Sequence, residues 1–300
     1  MFDFKSPAKD DLPYIRKICE KYGTMGCDFN SANIFLWRNK YNTKICIYYG
    51  FLVLAYFRDN KPWGYCFPLG EGDPTAVIAE IFKDARQRGV EANFVMLTEA
   101  QKEKLVEITG YKFSFKELYG DEDYIYRNYD LSILPGKRFH AKRNHISKFN
   151  REYPDWSFRL ISKDNKDDAI RVAEKWCEAK DINPNTYEEF KAIEEALENY
   201  ELLKLHGGIL YVEETPVAMT MGCEINRKTF DVIFEKGLVE YDGVYAKVNN
   251  EFAKTLVGFE FINREEDMGI ESLKQAKLSY NPVVILKRYM GVRNDKAEES

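Results

Sequence analysis

Residues 208–235 read GILYVEETPVAMTMGCEINRKTFDVIFE, and this run decides the fold. Two apolar runs, 208–213 and 217–225, flank the turn Glu214-Thr215-Pro216, and that pattern predicts a β-hairpin. Residues 229–235 predict a third strand. Gly243 then opens a helix to residue 257, with Val248, Phe252 and Leu256 on one face. A strand at 259–262, a short helix at 269–277 and a last strand at 283–289 complete the pattern. Upstream, residues 137–153 form a helix with Phe139, Ile146, Phe149 and Tyr153 on one side. A strand at 157–162 and a helix at 167–180 follow. Thr186-Tyr187-Glu188-Glu189 reads as a capping box before a further helix to about residue 203.

The first half repeats this grammar. A helix near Asp10 and Asp11 carries Leu12, Ile15, Ile18, Cys19 and Tyr22 on one face, and Gly23 ends it. Strands at 44–49, 51–57 and 63–69 precede a helix at 74–88 closed by Gly89. A buried strand at 93–97 comes next. The capping box Thr98-Glu99-Ala100-Gln101 starts a helix that Gly110 ends, and Tyr111, Phe113 and Phe115 alternate as a strand. Each half thus orders helices, hairpin, strand, helix, strand, helix, strand. That order predicts an α/β fold of mixed sheets with helices on their faces. The expected boundary lies between residues 124 and 134, giving domains 1–128 and 129–300. A chain of 300 residues is too long for one ordinary core and fits two.

Composition narrows the function by exclusion. Charged residues are 31% and hydrophobic ones 45%, a globular balance. The net charge of −5 excludes a chain that is basic throughout, so phosphate contacts must come from a local patch. The six cysteines, at 19, 27, 46, 66, 177 and 223, show no C-x-x-C spacing and read as buried free thiols. The first residues lack the pattern of a signal peptide. The longest uncharged stretch, 45–57, falls short of the ~18 residues of a spanning helix, so no integral membrane segment and a cytoplasmic location are expected. No G-x-S-x-G, P-loop or H-E-x-x-H motif occurs. His140 and His145 are spaced poorly for a shared metal, and no metal is expected.

Two segments carry a resemblance: YDLSILPGKRFHAKRNHI at 129–146 and NREEDMGIESLKQAKLSYNP at 263–282. Both are similar to the bacterial family grouped with the phosphatidylglycerol lysyltransferase C-terminal domain. That domain is a tandem N-acetyltransferase-like (GNAT-like) pair related to the Fem peptidyltransferases. The order of elements in each half is also the GNAT order. The resemblance implies tandem GNAT-like acyltransferase domains, with the site in the second. It implies transfer of an aminoacyl group, from aminoacyl-tRNA, to an amine or hydroxyl acceptor such as an anionic lipid headgroup at the membrane surface. Two other readings stay open. One is a non-catalytic tandem GNAT-like protein that binds a ligand or partner. The other is an acetyl-coenzyme A-dependent N-acetyltransferase.

The residues themselves weigh on these readings. Coenzyme A needs a Gly-rich cradle whose backbone N–H groups hold its pyrophosphate. The matching places read Leu69-Gly70-Glu71-Gly72-Asp73-Pro74 and Glu240-Tyr241-Asp242-Gly243-Val244-Tyr245. Their acids repel a pyrophosphate, so no cofactor is expected. The segment from Lys137 to Arg151 holds Lys137, Arg138, Lys142, Arg143 and Lys148, with no acid and with His140, Asn144 and His145 among them. It reads as a substrate-binding stripe for phosphates, or as a solvated helix face. Arg264 and Asp267 lie between a strand and a helix, at the rim of an open sheet. Asp267 could orient or deprotonate an acceptor, and Arg264 could steady a carbonyl or phosphate. Lys277 could stabilise an oxyanion and Tyr280 could donate a proton. In the plainer alternative Asp267 caps a helix, Arg264 pairs with it, Lys277 lies on the surface and Tyr280 packs. The expectation is that the helix from Lys137 and the loop at Arg264 and Asp267 face one crevice.

Overall fold

The computed structural model describes residues 1–180 and 184–294. The chain forms two units, each built on one mixed sheet. Of the described residues, the first unit comprises 1–123, 266–274 and 285–294; the second comprises 124–265 and 275–284. A single cut after residue 128 therefore does not describe the division, because the chain returns to the first unit twice.

The first unit contains α1 (Leu12–Tyr22), α2 (Ser31–Leu36), β1 (Thr43–Tyr48), β2 (Phe51–Arg58), β3 (Lys61–Tyr65), α3 (Thr75–Arg88), β4 (Phe94–Leu97), α4 (Glu99–Thr109) and β5 (Phe113–Glu117). β2 explains its layering. Successive strand residues point to opposite faces. Phe51, Val53, Ala55 and Phe57 join Val77, Ile78 and Ile81 of α3 and Leu105 of α4 in one core. Leu52 and Leu54 join Ile15 and Ile18 of α1 and Ile34 of α2 in another. A strand covered on both faces reads as a continuous apolar run, which is why FLVLAYF shows no alternation. The capping box forms as expected, with Gln101 N donating to Thr98 Oγ1 and Thr98 N to Gln101 Oε1. The short α2 escaped the sequence reading; Asn30 starts it, its side chain accepting from Ala32 N at 2.8 Å.

The second unit begins within β6 (Asp123–Arg127) and continues through α5 (Asn128–Ile133), α6 (His140–Glu152), β7 (Trp156–Leu160), α7 (Lys166–Ala179), α8 (Pro184–Glu198), β8 (His206–Val212), β9 (Thr215–Asn226), β10 (Thr229–Gly237), α9 (Val244–Thr255) and β11 (Phe261–Asn263). α10 (Glu271–Leu278), β12 (Val284–Leu286) and β13 (Tyr289–Arg293) follow. α8 starts at Pro184, so Thr186 lies in its first turn rather than ahead of it. The expected last strand, 283–289, is two strands in different sheets. β12 ends the second sheet, and β13 lies between β4 and β5 in the first. Apolar content marked a strand there but carried no information on its partners.

The second sheet has the order β12-β6-β11-β10-β9-β8-β7. β9 passes so close to β10 that a Cβ on Gly222 would stand 1.7 Å from the Asp231 carbonyl oxygen. β10 and β11 pair in parallel only from Thr229↔Phe261 to Asp231↔Asn263. Beyond that point β11 ends, while β10 continues through a bulge between Val232 and Phe234 to Gly237. β10 thus runs on without β11 beside it, and the candidate site stands where β11 ends.

Candidate active site

Arg264 is the first residue after β11, and Glu235 stands on the part of β10 that has lost β11 as a neighbour. Arg264 Nη2 donates to Glu235 Oε1 at 2.7 Å, with both side chains nearly buried. The other carboxylate oxygen accepts from Asn249 Nδ2 of α9 at 3.1 Å. Glu235 is therefore satisfied on both oxygens, and its orientation is set from two elements. Arg264 Nη1 is shielded from water and has no hydrogen-bond partner. An unmet guanidinium N–H in such a place leaves a strong donor free for a carbonyl or an oxyanion.

Aromatic rings wall the guanidinium. Arg264 Cζ lies 4.8 Å from the Tyr280 ring centroid and 5.7 Å from that of Tyr126. Tyr126 donates its hydroxyl to the Lys277 carbonyl at 2.8 Å. Burial pushes the Tyr280 phenol up to about 12, against the pull of Arg264. Lys142 of α6 places its Nζ 3.8 Å from the same Tyr280 ring. Burial, then the positive charge of Arg264, holds its ammonium down at about 8, and Glu235 offsets only part of this. Lys277 is buried, and its Nζ donates to the main-chain carbonyls of Arg264 and Glu265. It pins the loop that carries Arg264.

The expected site residues thus divide. Arg264, Tyr280 and Lys142 share one place, and Lys277 braces it from behind. The rest of the basic segment is largely engaged within the chain. Arg138 pairs with Asp130 at 2.8 Å, Arg143 donates to the Leu134 and Gly136 carbonyls, and Lys148 pairs with Asp242. His140 and Asn144 are exposed and bond to each other, Nδ1 to Nδ2, at 3.3 Å, and Lys137 is exposed. Asp267 belongs to the first unit, and its carboxylate accepts from Gly269 N at 2.8 Å in a tight turn. The carboxylate that meets Arg264 is Glu235. Glu235 and Asn249 escaped the sequence reading. The signal for Glu235 was its place in the apolar strand TFDVIFE, where an acid is buried at a cost unless it is paired. A direct expectation follows for Asp267. Asp267→Asn keeps the turn and leaves the melting temperature unchanged, while Asp267→Ala costs about 0.5–2 kcal/mol by thermal denaturation.

The model of the family described as phosphatidylglycerol lysyltransferase, C-terminal, matches residues 20–291. The chain belongs to that family. The family is one of acyltransferase-type transferases. Among solved structures, a conserved protein of unknown function from Bacteroides thetaiotaomicron is 37% identical, with a TM-score of 0.92 over 98% of this chain and 100% of that one. L-PGS from Bacillus licheniformis shares the fold at 16% identity, with a TM-score of 0.68 over 98% of this chain and 94% of that one. A curated relative, the uncharacterized protein MYCGA3080 of Mycoplasmoides gallisepticum, is 25% identical over 181 residues, 56% of this chain. The chain spans about half the length of that relative, 55%. Among the described residues no helix is long and apolar enough to cross a membrane.

Within this family member the loop before α9 bears on the donor. Gly243 caps α9 at a φ of 84°, and a Cβ there would stand 2.7 Å from the His145 carbonyl oxygen of α6. Lys148 of α6 neutralises Asp242 in the same loop. The helix end that would hold a pyrophosphate thus has the His145 carbonyl close to its capping Gly243 and Glu240 and Asp242 in its loop, of which Lys148 offsets only the second. Calorimetric titration with acetyl-coenzyme A should give no measurable heat; micromolar binding would reverse this reading.

One group of metal-ligating atoms occurs among the described residues, in the first unit. The Cys27 sulfur and one oxygen each from Asp123 and Glu266 lie within 4.8 Å of one another. Arg288 already brings positive charge there, its Nη2 standing 2.9 Å from Asp123 Oδ2. Cys27 is half-buried, whereas the other five cysteines are buried as expected.

Proposed function

We propose that this protein transfers an aminoacyl group, carried as an ester on tRNA, to an amine or hydroxyl acceptor. The observation that supports it best is the Glu235–Arg264 pair beside β10 where β11 ends. In this reading the aminoacyl ester enters with its carbonyl oxygen toward Arg264. Negative charge that develops on that oxygen meets a guanidinium held still by Glu235, Asn249 and the Tyr280 ring. The acceptor's heteroatom bonds to the carbonyl carbon, and the bond to the ribose oxygen breaks. Lys277 keeps the Arg264 loop in register, as a positioning residue. Membership in the family supports the transfer chemistry, and the acidic loop before α9 favours an ester donor over coenzyme A.

The test uses purified protein, a set of radiolabelled aminoacyl-tRNAs, and acceptors that include phosphatidylglycerol vesicles, ethanolamine and free lysine. Label should leave one tRNA and appear on one acceptor. Arg264→Met should slow this about 100-fold or more. Label that stays on every tRNA with every acceptor sinks the proposal.

A further inference from the structure

We infer that Lys142 is the general base of the transfer, taking the proton from the acceptor's attacking hydroxyl or amine. The inference rests on the transfer reading above and adds the residue that moves the proton. Lys142 is half-buried on α6, and among the described residues its Nζ has neither a hydrogen-bond nor an ion-pair partner. Its surroundings do not supply one. Arg264, after β11, adds positive charge. Glu235, on β10, spends both oxygens on Arg264 and Asn249. Tyr280, after α10, offers the face of its ring. The ring face attracts an ammonium, but burial and the charge of Arg264 weigh more heavily against it, so the neutral amine is within reach near neutral pH.

The neighbouring groups leave the role to this residue. Arg264 stays charged throughout the working range and can only donate. Tyr280, held up at about 12, keeps its proton. Lys142, held at about 8, is neutral in about a tenth of molecules at pH 7 and in half at pH 8. The neutral Nζ removes the acceptor's O–H or N–H proton as its heteroatom bonds to the carbonyl carbon. The resulting ammonium returns that proton to the ribose oxygen as the ester C–O bond breaks. One proton moves from acceptor to leaving group, and no electron is gained or lost.

Two measurements test this. The first is competitive trace labelling with acetic anhydride from pH 6 to 10, read by mass spectrometry on the intact protein. Lys142 should label as an amine titrating near 8, well below the ordinary lysine value of about 10.4. The second is the pH profile of transfer in wild type, Lys142→Met and Lys142→Arg. In wild type, kcat/KM should rise tenfold per pH unit and level off above about 8. Both variants should lose at least about 100-fold in kcat with KM changed little, and the rising limb should vanish. Lys142→Arg keeps the charge but cannot act as a base. If it stays within threefold of wild type, Lys142 only attracts substrate and the inference is wrong. Ordinary labelling of Lys142 in an active wild type overturns the inference alone. A wild type that transfers nothing overturns it together with the transfer reading.

Discussion

Glu235→Ala removes transfer and destabilises the second unit by about 3–5 kcal/mol, because it leaves the Arg264 guanidinium buried without its counter-charge. Three further variants separate the two effects. Glu235→Gln still offers an oxygen to Arg264 and an amide of the same shape. It should fold with a smaller loss, about 1–3 kcal/mol, yet transfer slowly, because the guanidinium is no longer held by charge. Arg264→Lys keeps the charge but loses the planar fork that binds Glu235 with one nitrogen and offers another. The double variant Glu235→Met with Arg264→Met replaces the pair by apolar groups of similar length. Its melting temperature should recover toward wild type while transfer stays lost. Recovery of transfer in the double variant would show that the pair serves stability alone.

The second large effect is expected in the first unit. Arg288 is fully buried and bonds Asp28 Oδ2 through Nε at 2.6 Å and Asp123 Oδ2 through Nη2 at 2.9 Å. Arg288→Met strands two buried carboxylates, a loss of about 3–5 kcal/mol at neutral pH that should be visible as unfolding at a much lower denaturant concentration. The sign of its pH dependence follows from Asp28. Burial already pushes that carboxyl above its ordinary value, and Arg288 is the main group that opposes this. Without the arginine the carboxyl rises further. A folded-state value above the unfolded one means that stability lost at neutral pH returns as the pH falls through the raised value toward about 4. Arg288→Met should therefore be least deficient in acid. Adding Asp28→Asn should restore part of the stability at pH 7. An equal deficit at pH 5 and pH 7 would place the cost in packing rather than charge.

How much of this was legible beforehand varies by kind of signal. The capping box at Thr98 and Gln101 and the helix end at Gly89 rest on contacts within a few residues and appear as read, and the hairpin forms with its turn at Glu213-Glu214, since Thr215 and Pro216 already pair within β9. Arg264, Tyr280 and Lys142 were nameable from the two segments that carry the family resemblance, and they meet at one ring. Asp267 was named with them, yet its carboxylate holds a turn in the other unit. The basic stripe of α6 was visible as composition. Which of its charges are consumed by Asp130, Asp242 and the carbonyls before the helix was not.

The sequence by itself determined most of the elements (α2, β6, α5 and the split of β12 from β13 excepted), the α/β class of each half and the family, since these depend on periodicity, local turn chemistry and short runs of residue identity. Tertiary structure alone decided that β13 joins the first sheet, that β11 stops pairing with β10 after Asp231 and Asn263, and that Glu235 rather than Asp267 meets Arg264. The physical reason is that strand pairing joins residues far apart in the chain, through backbone groups that are the same whatever the side chain. Glu235 and Arg264 are distant in sequence. They become partners because one strand runs on where its neighbour stops, and burial there leaves a charge that must find another.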